Sequence, residues 1–182
     1  MGRFTTTEGE IAGLRIIEPA VYADGRGYFM ETYSKRDFAD TGLDFSFIQD
    51  NQSHSVKGVL RGLHYQKRHP QAKLVRVLAG EIFDVAVDIR MGSPTFGKWQ
   101  GILLSAANRK QFFIPGGFAH GFAVLSEAAD VLYKCNEYYH PEDEAGIIWN
   151  DPTLGIKWPV DAIETLIISE KDQNLPPFKK VF

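Results

Sequence analysis

The sequence carries five histidines, and two of them stand on glycine-marked, strand-like stretches. His64 lies in Gly58-Val59-Leu60-Arg61-Gly62-Leu63-His64-Tyr65-Gln66. His120 lies in Phe113-Ile114-Pro115-Gly116-Gly117-Phe118-Ala119-His120-Gly121-Phe122. Histidine titrates near neutrality, so it can take a proton as a general base. Arg61 and Lys73 are cations close by in the chain that can stabilise negative charge developing on a carbonyl oxygen. Tyr133, in Val131-Leu132-Tyr133-Lys134-Cys135, can return a proton from an opposing wall, although a strand tyrosine by itself is ordinary packing material. Base, cation and acid together make a machine for moving protons next to a ketone. Leu60, Leu63 and Tyr65 suit a core, whereas an unpaired polar group in an apolar interior costs kilocalories. The polar members of the His64 strand must therefore line a wet cavity or meet a ligand.

The elements that would hold these groups are mostly strands. Leu14 to Pro19 and Tyr28 to Tyr33 read as strands around the turn Asp24-Gly25-Arg26-Gly27. Ser34 is placed to cap a short helix from Lys35 to Thr41, which Gly42 would stop. Phe45 to Gln49 alternates. Lys73 to Leu78 and Glu81 to Ile89 are apolar runs joined at Ala79-Gly80. In the second, Phe83, Val85, Val87 and Ile89 share one face, and Asp84, Ala86, Asp88 and Arg90 the other. Gly101 to Leu104, Gln111 to Pro115, Gly121 to Leu125 and Val131 to Tyr139 continue the pattern. From Pro141 onward the chain predicts irregular structure and short helices wrapped on the body. Short strands with turn signals and no long helix predict an all-β sandwich or barrel, in one domain spanning residues 1–182.

With 44% hydrophobic and 13% aromatic residues the chain can build a core, and disorder is excluded as a description of the whole. A formal charge of −3, with lysine and arginine scattered, gives no nucleic-acid footprint. The single cysteine, Cys135, makes no internal disulfide and fits a reducing compartment. Met1-Gly2-Arg3-Phe4 leads into polar threonines with no apolar signal core, and no run approaches a membrane span. The expected location is the cytoplasm, with no membrane partner.

The Pro-Gly-Gly turn that delivers His120 onto a strand resembles the second motif of the cupin superfamily, where a metal-binding histidine follows Pro-x-Gly. In the first cupin motif a His-x-His and then a glutamate are expected. Here the chain reads His64-Tyr65-Gln66, with Lys73 further on. A catalytic metal wants three His or carboxylate ligands, and this reading supplies two histidines beside a cation. No metal is expected.

A longer resemblance runs in order from about Leu14 to Asp172. It is carried by Asp24-Gly25-Arg26-Gly27-Tyr28-Phe29-Met30-Glu31-Thr32, Gln49-Asp50-Asn51, Val59 to Gln66, Pro115 to Phe122, Leu132-Tyr133-Lys134-Cys135, Ile148-Trp149-Asn150-Asp151-Pro152 and Ser169-Glu170-Lys171-Asp172. These together resemble the dTDP-4-dehydrorhamnose 3,5-epimerase family. The resemblance implies a cupin-type jelly roll, a homodimer, no metal or organic cofactor, and a dTDP-linked 4-keto-6-deoxy sugar as substrate. It implies His64 as base, Tyr133 as acid, Lys73 at the enolate oxygen and Asp172 orienting His64. From the residues alone, Asp172 reads instead as a helix-capping group after Ser169, and Asp84 competes as partner of either histidine.

For the nucleotide, Arg26 and Arg61 suit a pyrophosphate. Gln49 and Asn51, flanking Asp50, can read amide and carbonyl edges, and Phe29 and Tyr139 can flank thymine. Glu31, His120, Glu144 and Lys171 match substrate-contact positions of the family. Without that resemblance, Glu31, Glu144 and Lys171 read as solvated surface charges. His54 is given no role. The alternatives are an epimerase acting at C3 or C5 only, a metal-dependent cupin enzyme, and a non-catalytic nucleotide-sugar binding module. One difficulty stands: on a regular strand Arg61 and His64 face opposite sides. Either Gly62 permits a bulge that brings both to one cavity, or Arg61 serves a site shared with a partner subunit.

Overall fold

The computed structural model describes residues 3–182. Met1 and Gly2, the first residues of the stretch expected to lack an apolar signal core, lie outside the described residues. Among the described residues thirteen strands form: β1 (Phe4–Glu8), β2 (Arg15–Pro19), β3 (Val21–Asp24), β4 (Gly27–Met30), β5 (Gln49–Val56), β6 (Leu60–Gln66), β7 (Lys73–Ala79), β8 (Glu81–Asp88), β9 (Trp99–Ser105), β10 (Gln111–Ile114), β11 (Phe118–Val124), β12 (Ala128–Cys135) and β13 (Glu144–Gly146). The two α-helices are short, α1 (Lys35–Asp40) and α2 (Glu170–Gln173).

A six-stranded sheet in the order β1-β2-β10-β7-β12-β5 faces a five-stranded sheet in the order β13-β6-β11-β8-β9. The β3–β4 hairpin stands apart from both. This is the expected all-β sandwich of the cupin type. Between the sheets, Leu14, Val75, Val77, Ile82, Phe112, Ile114, Phe122, Val124 and Val131 make one apolar cluster. The outer face of the five-stranded sheet is covered as well. Leu60, Leu63, Val85, Val87, Ala119 and Ala123 pack there with Ile147, Leu154, Trp158 and Phe178 from the C-terminal segment. Hence β8 and β11 are buried on both faces, and the polar groups they carry, Asp84, Asp88 and His120, must find partners inside. The two buried indoles find acceptors in that segment: Trp99 Nε1 donates to the Leu154 carbonyl at 3.1 Å and Trp158 Nε1 to the Trp149 carbonyl at 2.9 Å.

Ser34 caps α1 as expected, its Oγ accepting from the Asp37 N–H at 3.3 Å. Phe38 seats that helix on Phe4, Ile17, Leu43, Leu74 and Phe113. The alternating run Phe45 to Gln49 is a correction: the ladder starts only at Gln49 and continues to Val56, because Phe45 and Phe47 turn inward beneath α1 instead of pairing. Tyr28 to Tyr33 likewise pairs only as far as Met30. β1 is built from the polar threonines that gave no strand signal; it is held by its antiparallel ladder to β2. No helix among the described residues is long and apolar enough to cross a membrane.

The opening difficulty is resolved within one chain. On β11, His120 and Phe122 are two positions apart, yet they pair with His64 and Arg61, which are three apart. β6 therefore carries an extra residue between its pairs, a bulge that changes the parity of the strand. Gly62 sits in it with φ +116, and a Cβ there would lie 2.6 Å from Gly121 Cα and 2.7 Å from the His120 carbonyl oxygen. Only glycine meets both conditions. The Gly62–Leu63 peptide is cis.

Candidate active site

The inner faces of the two sheets meet the solvent in a cleft made of two adjoining cavities. One, of about 340 Å³, is lined by Gln49, Asn51, His64, Tyr65, Gln66, Gln71, Lys73, Tyr133, Tyr139 and Glu144. The other, of about 140 Å³, is lined by Ser53, Arg61, His64, Lys73, His120, Gly121, Phe122 and Tyr133. His64, Lys73 and Tyr133 belong to both, so an imidazole, an ammonium and a phenol stand where the two chambers join. Their grouping follows from strand register. Tyr133 pairs with Asn51 on β5 and with Val75 on β7, and Cys135 pairs with Gln49 and Lys73. Opposite residues share a face, so Gln49, Asn51, Lys73, Tyr133 and Cys135 all point to the same side of the six-stranded sheet. Across the gap, His64 is opposite His120 and Gly146, and Gln66 is opposite Glu144.

Each histidine has its own carboxylate. His64 Nε2 lies 2.7 Å from Asp172 Oδ1, and Asp172 Oδ2 accepts the Gly62 N–H at 3.2 Å. The His64 ring is partly open to the cleft at 29% exposure, whereas the Asp172 carboxylate is 5% exposed. Burial pushes Asp172 up, but the bonds from His64 and Gly62 outweigh it and hold the carboxyl below its usual range. With Nε2–H donating to Asp172, Nδ1 is the nitrogen that accepts a proton. Asp172 also keeps the capping position read from the residues, since its own N–H donates to Ser169 Oγ at 3.1 Å. Asp84 is buried and takes the other histidine, with its oxygens 2.9 and 3.0 Å from His120 Nε2. The competition left open between Asp84 and Asp172 thus resolves into two separate pairs.

Lys73 is held on β7 facing the cleft. Burial lowers its ammonium group from the ordinary lysine value, opposed by the nearby Cys135, Asp84 and Glu144. Burial raises Tyr133 above the ordinary phenol value, with Arg61 pulling the other way. At the outer end, Gln49 Nε2 donates to Asn51 Oδ1 at 3.0 Å, and Asn51 Nδ2 reaches Cys135 Sγ at 3.7 Å. The Tyr139 N–H donates to Gln49 Oε1 at 3.0 Å, and Tyr139 Oη donates to Glu144 Oε2 at 2.5 Å. That bond pushes the Tyr139 phenol up to about 12. Lys171 Nζ lies 2.7 Å from Glu144 Oε2.

Gln49, Asn51, Arg61, His64, Lys73, His120, Tyr133, Tyr139 and Glu144 therefore line the cleft, and Asp172 and Lys171 support it from behind. Besides Lys171, four expected contacts line neither cavity. Arg26 and Phe29 project from the β3–β4 hairpin, with Phe29 70% exposed and the Arg26 side chain 91% exposed and paired to Asp24. Glu31 pairs with Arg3. Asp50 is a correction for its side chain: strand alternation turns it away from Gln49 and Asn51, and it binds Lys134 at 2.9 Å. Ser53, Tyr65 and Gln71, to which the sequence assigns no site role, also line the cleft, and Gln66, read there as a polar member of the His64 strand, takes a specific part. Its amide donates to the His69 and Tyr138 carbonyls and accepts the His140 N–H, which fixes the turn bearing Tyr139. The signal was parity: Gln66 is two residues from His64, and Gln71 two from Lys73. Among the described residues no group of three or more His, Cys, Asp or Glu is placed to hold a metal ion.

The family described as dTDP-4-dehydrorhamnose 3,5-epimerase matches residues 8–180. The dTDP-4-dehydrorhamnose 3,5-epimerase of Methanothermobacter thermautotrophicus is 56% identical over 99% of this chain and 97% of its own. A crystal structure of dTDP-6-deoxy-D-glucose-3,5-epimerase from Legionella pneumophila, in complex with dTDP-4-keto-L-rhamnose, superposes with a TM-score of 0.94 at 51% identity, covering 98% of this chain and 95% of that one. ChmJ of Streptomyces bikiniensis, a 3′-monoepimerase in complex with dTDP-quinovose, superposes at 0.85 with 36% identity, covering 92% and 85%. With the match reaching from the first strand to the last turn, across every residue of the His64, His120 and Tyr133 motifs, the chain belongs to the dTDP-4-dehydrorhamnose 3,5-epimerase family.

Proposed function

We propose that this chain converts dTDP-4-dehydro-6-deoxy-D-glucose to dTDP-4-dehydro-L-rhamnose by inverting C3 and C5, as a cofactor-independent epimerase. The observation that carries the reading is the wall shared by the two cavities: His64, Lys73 and Tyr133 line both. C3 and C5 each flank the C4 ketone. His64 Nδ1 takes the proton from one of them, leaving an enolate. The Lys73 ammonium meets the charge that develops on the C4 oxygen. Tyr133 gives its phenolic proton to the opposite face of the same carbon, which inverts the centre. His64 then loses its proton, and Tyr133 regains one, before the second carbon reacts. Asp172 stabilises the imidazolium formed in each round and keeps the ring in the tautomer that leaves Nδ1 open.

Arg61 and His120 in the smaller chamber suit pyrophosphate or sugar oxygens. Gln49 and Asn51 suit the thymine edge, and Tyr139 its face. Arg26, Phe29 and Glu31 lie on or beside a hairpin that stands apart from both sheets, with Tyr22 and Tyr28 also more than half exposed. A homodimer that lays this hairpin on the partner's cleft brings those residues to the substrate. The chain acts as one domain, and its buried lone cysteine, Cys135, suits a reducing cytoplasm.

The likeness to ChmJ keeps a single-centre epimerase as the second reading, because such an enzyme needs the same base and acid and differs only in how it seats the sugar. Incubation with the 4-keto sugar nucleotide in deuterated water, read by mass and NMR, separates the two. Deuterium at both C3 and C5 with L-rhamno product is expected. Label at one carbon selects the single-centre enzyme. Binding without any label refutes both.

A further inference from the structure

The short helix α2 presents two neighbouring side chains to the same pair of strands. Asp172 reaches β6, through His64 at 2.7 Å and the Gly62 N–H at 3.2 Å. Lys171 reaches β13, through Glu144 at 2.7 Å. Glu144 is fixed on its side, opposite Gln66 in the ladder, two residues from the Gly146–His64 pair. It is also the acceptor of the Tyr139 phenol, and the Tyr139 N–H runs on to Gln49 and Asn51. The carboxylate is 17% exposed. Burial pushes it up, yet the bonds from Lys171 and Tyr139 outweigh that and hold it ionised. α2 is four residues long, and backbone bonds tie its segment only at Ile167, to Gly58 and Leu60, and at Pro176, to Ile148; between those ties, side-chain anchors help to set where Asp172 stands.

We infer that Lys171 and Glu144 form a positioning latch, which holds α2 so that the Asp172 carboxylate stays on His64, and which connects the nucleotide-facing residues Tyr139, Gln49 and Asn51 to the base. Lys171 is a positioning residue that acts through Asp172. The inference rests on the assignment of His64 as base and goes beyond it, because it gives an exposed lysine an effect on chemistry and not only on substrate affinity. An isolated exposed ion pair would contribute little to stability. Its part here is geometric, and a displacement of about 1 Å in a catalytic group can cost on the order of a hundredfold in rate.

The test is a double-mutant cycle on the full chain with Lys171→Met, Asp172→Asn and both together, with Lys171→Arg as the conservative control. It measures kcat at saturating 4-keto sugar nucleotide, dTDP affinity, and hydrogen exchange of the Gly62 amide. Lys171→Met is expected to lower kcat about ten- to a hundredfold. In the Asp172→Asn background it is expected to change kcat less than about twofold, since residues acting as a unit are not additive. Lys171→Arg is expected to stay within about threefold of the parent, because the charge is retained. The Gly62 amide, whose acceptor is Asp172, is expected to exchange faster in Lys171→Met. Equal losses in the two backgrounds overturn the latch, as does a change in dTDP affinity alone with kcat intact. If Asp172→Asn is too slow to assay, the Gly62 exchange decides alone: faster supports the latch, unchanged overturns it. Full turnover in Asp172→Asn would instead remove the His64–Asp172 assignment, a separate failure from that of the latch.

Discussion

Replacing Asp172 by Asn changes one atom and leaves the packing intact, so it isolates the carboxylate's effect on His64. In the parent, Oδ1 accepts from His64 Nε2 at 2.7 Å and Oδ2 accepts from the Gly62 N–H at 3.2 Å. An asparagine has one acceptor for these two donors. If its oxygen stays on Gly62, the amide NH2 faces the imidazole, and two donors oppose each other. The ring then protonates Nδ1, the nitrogen that should accept from the sugar. If the oxygen turns to His64, the Gly62 N–H loses its partner inside the bulge that aligns Arg61 and His64. The smaller loss is that of a charge-assisted bond to the imidazolium, worth about 1.5–3 kcal/mol, or roughly ten- to a hundredfold. The larger adds the wrong tautomer, for which Asp→Asn beside a catalytic imidazole costs on the order of 10⁴-fold, about 5 kcal/mol. Asp172→Asn is therefore expected to slow deuterium incorporation at both C3 and C5 by about 10 to 10⁴, with dTDP affinity unchanged. The assay is NMR of the 4-keto sugar nucleotide in deuterated water. Exchange at both carbons within about threefold of the parent would refute the tautomer reasoning.

Other expectations follow from the same geometry. Tyr133→Phe removes the returning proton but leaves the base, so complete inversion should fall further than initial exchange of label; equal losses would show that Tyr133 is not a dedicated acid. Gly62→Ala forces a methyl against Gly121 Cα and the His120 carbonyl at a φ of +116, so it is expected to cost about 2–5 kcal/mol and to lower the melting temperature measurably, with activity lost in the folded fraction. Asp143, 1% exposed at its side chain, accepts the Arg68 and His69 N–H groups and the Arg68 guanidinium, and these bonds outweigh burial to hold it far below the usual aspartate range. A depressed folded-state value means stability that is present above the unfolded value near 3.8 and lost as pH falls through the folded one. Asp143→Asn should thus lower the melting temperature at pH 7, and the gap to the parent should narrow below about pH 4; a gap that stays constant with pH would contradict this.

The barrel was legible because its strands repeat a period that sequence displays. Glu81 to Ile89 shows alternation, and its apolar face of Phe83, Val85, Val87 and Ile89 is the one that the C-terminal segment covers. What was not legible depended on partners far along the chain. Phe45 to Gln49 alternates like a strand, yet its aromatic rings are drawn beneath α1, and local periodicity carries no sign of that. β1 has three threonines and pairs only because β2 supplies an edge. Asp50 was grouped with Gln49 and Asn51 by adjacency, although strand parity turns its side chain to the opposite face.

Asp172 shows most clearly why local reading stops short. Ser169 three residues before it makes a complete capping signal, and the structure honours that signal through the Asp172 N–H. The capping role occupies the backbone, so the carboxylate remains available, and a buried carboxylate must find a donor. Its donor lies 108 positions earlier, on a strand whose parity is set by the bulge at Gly62. The same carboxylate accepts the Gly62 N–H, so the residue paired with His64 also braces the irregularity that aims the imidazole. Without the bulge, Arg61 and His64 would face opposite sides and no single cleft could hold both. The glycine between an arginine and a histidine was the local sign that this strand departs from regularity. The carboxylate that secures the departure could be found only by folding the chain.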